Sequence, residues 1–160
     1  MAEKPVLGYW RTRGRADPIR LLLKHLEVDF EDRRYGDAED LPTWSEEKDN
    51  LGMSFPNLPY WKDGDIAHSE SIPILRSICR KYKPEYMGRN EAEAGRADAY
   101  TPNLNAFLMD IAFKYLWPED YASKMEEGKA AMAQWLVDFV NVMDGNAFIA
   151  GNEGPTYADF

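Results

Sequence analysis

Apolar residues come in short bursts through the first half of the chain and at helical spacing through the second. Val6-Leu7-Gly8-Tyr9-Trp10 is a continuous run with the length of a buried strand. Asp17-Pro18 follows as an N-cap with proline at the first helical position, and Ile19, Leu22, Leu23 and Leu26 then fall on one helical stripe. Val28 to Tyr35 reads as a second strand with weak alternation. From Gly36 to Phe55 the chain is polar and broken, with one helical turn around Trp44 to Lys48. Phe55-Pro56-Asn57-Leu58-Pro59-Tyr60-Trp61 leads into Asp63-Gly64, a hairpin signal, with Ile66 and His68 on the return strand. Ser71 then reads as the cap of a helix with Ile74, Leu75, Ile78, Cys79 and Tyr82 on its inner side. The order is β-α-β, a β-hairpin, then α: a small α/β layer fold.

The character changes after Pro84 and Gly88. Leu104, Phe107, Leu108, Ile111 and Tyr115 make one helical stripe, and Met132, Trp135, Leu136, Phe139, Val140 and Met143 make another, with Trp117-Pro118 between them. Two long helices joined by a short loop predict an antiparallel pair. The expected organisation is an α/β domain over residues 1–83, a linker at 84–90, and a partial all-helical domain over 91–160. Thr156-Tyr157-Ala158-Asp159 has the form of a capping box, so a helix is expected to start there. Those stripes stay half covered by what the chain contains, and it reads as a fragment whose second domain is incomplete.

Composition narrows the chemistry. The chain has 160 residues, 44% hydrophobic, and a net charge of −9 with both signs interspersed, so the basic footprint of a nucleic-acid binder is missing. The only cysteine, Cys79, excludes a disulfide framework and reads as a small core hydrophobe. The start lacks a signal peptide's basic and apolar regions, and no apolar stretch has membrane-spanning length, which favours a cytoplasmic setting. His25 and His68 have no companions at ligand spacing, so no metal is expected. Gly8 and Gly14 do not form a phosphate loop.

Four segments carry a resemblance. Leu7-Gly8-Tyr9-Trp10, Leu51 to Tyr60, Ile74-Leu75-Arg76 and Ala147 to Asn152 are similar, in the same order, to mu-class cytosolic glutathione transferases. The family implies a thioredoxin-like first domain and an all-helical second domain. It also implies a homodimer that needs no cofactor and conjugates the thiol of its co-substrate, glutathione, to small hydrophobic electrophiles in detoxification. The reactive species is the thiolate, and a free thiol with a pKa near about 8.5 is mostly protonated at neutral pH. Lowering that value by about 2 units takes roughly 2.7 kcal/mol, within reach of a charge-assisted hydrogen bond and a helix N-terminus.

By the same resemblance, Tyr9 is the catalytic hydrogen-bond donor to the sulfur. Leu58-Pro59 matches the family's cis-proline, with Leu58 offering its backbone to the cysteinyl part of glutathione and Asn57 beside it. Ser71, at the start of the third helix, faces the γ-glutamyl carboxylate, and Glu70 faces the ligand's amino group. Trp44, Lys48 and Trp10 hold the glycyl end. The family's electrophile-facing tyrosine aligns, by its nearby proline, to Leu116, with Tyr115 adjacent to it. Phe55 and Arg76 match the dimer interface.

This chain departs from the pattern in places. Leu41 stands where many mu enzymes place an arginine, Ala106 stands where an aspartate reaches across to the neighbouring subunit's glutathione, and Glu70 replaces the usual glutamine. Two other readings are compatible with the sequence. One is a truncated, non-catalytic binding or structural relative. The other is a sigma-like prostaglandin isomerase, for which Thr156-Tyr157-Ala158-Asp159 is the pointer.

Overall fold

β1 (Val6–Trp10) takes a central place in the sheet because nearly every residue in it is apolar and can be buried. It pairs in parallel with β2 (Glu31–Tyr35) and antiparallel with β3 (Tyr60–Asp63), and β3 pairs antiparallel with β4 (Ile66–Ser69). The sheet order is β2-β1-β3-β4. The computed structural model describes residues 3–36 and 42–160.

α1 (Asp17–His25) makes the crossover from β1 to β2, and α3 (Ser71–Tyr82) follows β4 and packs against α1. Leu7, Ile19, Leu22, Leu23, Ile74, Ile78 and Cys79 are fully buried. Each large apolar side chain removed from water in this way contributes about 1.5–3 kcal/mol. This layered arrangement of helices on a mixed sheet is the thioredoxin-like architecture expected for the first half.

The structure shifts some boundaries for identifiable reasons. A 3-10 turn at Gly14–Ala16 runs straight into α1, so the N-cap position falls on Ala16 and Asp17 becomes the first helical residue. The Asp17 carboxylate accepts from Arg13 Nε at 2.8 Å instead of capping the helix. β2 begins at Glu31 rather than Val28 because the Val28 N–H donates to the Leu23 carbonyl, closing the end of α1. Ser71 is likewise the first residue of α3 rather than its cap. Glu70 holds the N-cap position. α2 (Trp44–Glu47) is a single turn that continues into a 3-10 turn at Lys48–Asn50.

A second unit runs from Glu85 to Asp159. α4 (Glu91–Ile111) is capped by Asn90, whose side chain accepts from the Glu93 N–H. A π-helical turn at Ala112–Leu116 follows, and then α5 (Tyr121–Met143). Phe107 packs ring against ring with Trp135 and Phe139 at 5.4 and 5.3 Å between centroids. Elsewhere on the predicted α5 stripe Met132, Leu136 and Val140 are exposed and Met143 is half-buried. The expected helix at Thr156 is a 3-10 turn, Tyr157–Asp159, with the capping-box bond in place. The Asp159 carboxylate accepts from the Thr156 N–H at 2.8 Å, and its other oxygen accepts from the Ile149 N–H.

Candidate functional site

The register gathers several chain segments at one end of the sheet. Trp10, the last residue of β1, stands opposite Tyr35, the last residue of β2. Tyr60, the first residue of β3, stands opposite Gly8 on one side and Ser69, the last residue of β4, on the other. Tyr9 and Trp10, Leu58-Pro59, and Glu70-Ser71 therefore converge there, at the carboxyl ends of the mutually parallel strands, where open α/β sheets bind ligands.

Tyr9 is buried, and its hydroxyl oxygen accepts a hydrogen bond from the backbone N–H of Arg15 at 3.1 Å. The chain comes this close because residue 14 is a glycine with φ +40. A Cβ there would lie 2.7 Å from the tyrosine oxygen. With its acceptor side engaged by a backbone donor, the hydroxyl proton remains available to a second group. Donating and accepting in series strengthens both bonds.

Leu58-Pro59 is a cis peptide, as the resemblance implies. The Leu58 N–H donates to Asn57 Oδ1 at 2.9 Å, and Asn57 Nδ2 donates to Glu70 Oε1 at 3.2 Å. Asn57, Leu58 and Glu70 are thus linked directly. Glu70 has φ 75, the left-handed side that non-glycine residues rarely occupy, at a cost of about 1–3 kcal/mol. That conformation turns the chain sharply into α3. The first intrahelical bond runs from the Ile74 N–H to the Glu70 carbonyl, and Pro73 has no N–H. The orphan donors at this helix start are therefore the N–H groups of Ser71 and Ile72, and they point the positive end of α3 toward the site.

Trp44 and Lys48 sit on the turn of α2 and the residue after it. The Trp44 ring stacks on Tyr60 at 6.0 Å and meets Tyr35 edge-on at 5.3 Å. Lys48 is half-buried and belongs to no ion pair among the described residues. Trp10 is partly exposed at the end of β1. Leu41 lies outside the described residues.

The other predicted positions fall elsewhere. Phe55 is 85% exposed beside an open cleft of about 870 Å³ lined by Met53 to Asn57 and Ala67 to Glu70. Phe55 therefore takes no part in the core of its own chain. Asn57 and Glu70 reach that cleft, whereas Tyr9, Trp10, Trp44 and Lys48 do not line it. Arg76 is half-buried on α3 and lines a second cleft with His68 and Arg80. Tyr115 and Leu116 belong to the π-helical turn of the second unit, with Tyr115 packed against Gly128 and Leu116 exposed. Cys79 is inert packing: burial pushes its thiol up to about 12. Among the described residues, no group of three or more His, Cys, Asp or Glu side chains is placed to hold a metal ion. None of their helices is long and apolar enough to cross a membrane.

Sequence reasoning missed Arg15, whose contribution is a backbone N–H with no side-chain signature. It also missed Arg33, Tyr35, Glu47 and Tyr60. Arg33 and Tyr35 alternate on β2, and the Glu47 carboxylate accepts from both Arg33 Nε and the Tyr35 hydroxyl at 2.9 Å. The period-2 spacing of Arg33 and Tyr35 was the available signal, but it needed the strand assignment first.

No protein-family model matches the chain. Individual relatives do. A glutathione S-transferase of Tyrophagus putrescentiae is 43% identical over 169 residues, covering 100% of this chain and 72% of that protein. Glutathione S-transferase Mu 2 of Mus musculus is 35% identical over 158 residues, covering 96% and 71%. Among solved structures, the glutathione S-transferase Blo t 8 superposes with a TM-score of 0.74 at 32% identity, covering 96% of this chain and 71% of that one. Relatives this similar, matched over about seven-tenths of their own length, show that the chain belongs to the glutathione S-transferase family, with mu-class proteins among its kin.

Proposed function

We propose that this glutathione transferase joins the sulfur of reduced glutathione to small hydrophobic electrophiles at the end of the sheet where Tyr9 lies. The observation that carries the reading is the Tyr9 hydroxyl, held from behind by the Arg15 N–H and left with a proton to give. Donated to the glutathione sulfur, that hydrogen bond stabilises the thiolate. The thiolate's lone pair forms the new C–S bond, and the leaving group departs with the electrons of the bond that breaks.

The remaining residues bind and orient. The N–H groups at the start of α3, with Ser71, receive the γ-glutamyl carboxylate, and the Glu70 carboxylate receives the amino group. Leu58 offers its N–H and C=O to the cysteinyl unit, the N–H exchanging its present bond to Asn57 for one to the ligand. Lys48, Trp44 and Trp10 hold the glycyl end. Residues 1–83 serve as the glutathione-binding domain, and residues 91–160 supply Tyr115 and Leu116 to the electrophile. The protein works as a cytoplasmic homodimer in detoxification, with the exposed Phe55 and the half-buried Arg76 at the interface. It needs no cofactor or metal beyond its co-substrate.

Incubation of the purified chain with glutathione and an activated aryl halide, followed by mass spectrometry, tests the reading. The expected product is the thioether, formed faster than in the enzyme-free control. A rate equal to that control, in a folded sample, sinks it.

A further inference from the structure

α2 is one helical turn, and a helix that short does not hold itself together, because the cost of nucleation exceeds what one turn returns. Yet Trp44 opens that turn and Lys48 follows it. Something outside the turn must fix both.

The contacts around Glu47 supply the fixing. Its carboxylate takes a two-pronged bond from the Arg33 guanidinium, Nε to Oε2 at 2.9 Å and Nη2 to Oε1. It also accepts from the Tyr35 hydroxyl at 2.9 Å. The Tyr35 and Tyr60 hydroxyls are 3.0 Å apart. Since Tyr35 gives its proton to Glu47, Tyr60 must donate to Tyr35, so the bonds run in one direction from β3 through β2 into α2. The Tyr60 ring lies so close over Gly8 that a Cβ there would come within 1.9 Å of it, which anchors the far end on the central strand. Trp44, three residues before Glu47, packs on these same two tyrosines, stacked on Tyr60 and edge-on to Tyr35. Both ends of the turn are therefore tied to one pair of side chains on the sheet. Planar two-pronged bonding between Arg and a carboxylate fixes direction as well as distance.

We infer that Glu47, clamped by Arg33 and by the Tyr35–Tyr60 pair, is a positioning residue. It touches no part of glutathione but sets the affinity for the glycyl carboxylate by fixing where Lys48 and Trp44 stand. This rests on the glutathione reading above and goes beyond it by naming what makes that subsite rigid.

The test compares glutathione with γ-glutamylcysteine, which lacks the glycyl unit. Binding is followed through thiolate absorption of each ligand on the full chain, in the parent and in Glu47→Gln and Tyr35→Phe. In the parent, glutathione should bind more tightly. In Glu47→Gln its dissociation constant should rise on the order of tenfold, the effect of losing a charge-assisted hydrogen bond. The dissociation constant for γ-glutamylcysteine should stay unchanged within about twofold, and so should the thiolate amplitude at saturation. Tyr35→Phe, which keeps the ring and the Arg33 pair but removes the bonds to Glu47 and from Tyr60, should fall between, and Glu47→Asp should restore part of the preference. A general loss of structure would weaken both ligands together and lower the amplitude, and that outcome in both variants overturns the inference. So does an unchanged preference for glutathione. A parent chain that binds glutathione but shows no preference between the ligands contradicts only the inference. A parent that gives no thiolate signal overturns the glutathione reading itself, and the inference with it.

Discussion

The Tyr9 hydroxyl and the Arg15 backbone N–H are 3.1 Å apart, with Gly14 at φ +40 between Arg15 and the rest of the β1–α1 loop. The loop thus orients the tyrosine oxygen with a backbone dipole, which costs no reorganisation when charge appears on a neighbouring sulfur. Gly14→Ala tests this directly. Its methyl group would meet the tyrosine oxygen and its backbone would be forced into a region alanine avoids. We expect about 1–3 kcal/mol of lost stability in urea unfolding and a smaller thiolate signal at saturating glutathione. A variant equal to the parent in both measurements would remove the loop from the account.

Glu70 carries strain for function. Glu70→Gly should relieve its φ of 75 and raise the unfolding free energy by about 1 kcal/mol, while weakening glutathione binding through loss of the carboxylate. Glu70→Gln keeps the strain and removes the charge, so it should weaken binding with little change in stability. Equal stability of Glu70→Gly and the parent would count against the strain.

The Arg33–Glu47 pair predicts a pH response. Hydrogen bonding from Arg33 holds the Glu47 carboxyl below its ordinary value, Tyr35 adds to this, and burial opposes it. A carboxyl lowered in the folded state contributes stability that is complete above its unfolded value and is lost as pH falls through the folded one. The fixing of α2 should therefore be intact at neutral pH and fail only in acid, below the usual carboxylate range. Acid unfolding followed by tryptophan fluorescence should show a shallower acid limb in Glu47→Gln.

Cys79 offers a chemical probe of the core. Burial raises its thiol to about 12, so the native chain should not react with a thiol-exchange reagent near neutral pH and should react once when unfolded. The same shift stabilises the fold below the ordinary thiol range, a contribution lost as pH climbs toward that raised value. Rapid labelling of the native protein would contradict the burial.

Phe55 is exposed in the single chain, so its replacement should cost that chain nothing. Phe55→Ala should leave the far-ultraviolet circular dichroism unchanged and shift sedimentation from dimer to monomer. A variant that stays dimeric would remove Phe55 from the proposed interface.

Much of this was legible in the residues because the signals were local. Val6 to Trp10 is apolar enough to be a central strand, the α3 stripe from Ile74 to Cys79 has helical spacing, and Asp63-Gly64 leads into a two-residue turn, Gly64-Asp65, that closes between Asp63 and Ile66. Other features were hidden because they depend on partners distant in sequence. β2 is charged through most of its length, and its start was misplaced because the Leu23 carbonyl claims Val28. The cap at Ser71 moved to Glu70 because a serine read alone favours capping, whereas the chain here turns through a left-handed glutamate. The Glu47 clamp needed three elements assembled before any one of its bonds made sense.

The central claim is that Tyr9 activates the thiol of glutathione, and thiolate absorption in the parent and in Tyr9→Phe tests it most directly. The titration is best run at about pH 6.5, well below the ordinary thiol range near 8.5. The account predicts a saturable thiolate signal in the parent that disappears in Tyr9→Phe while glutathione still binds. An equal thiolate signal in both proteins would contradict it.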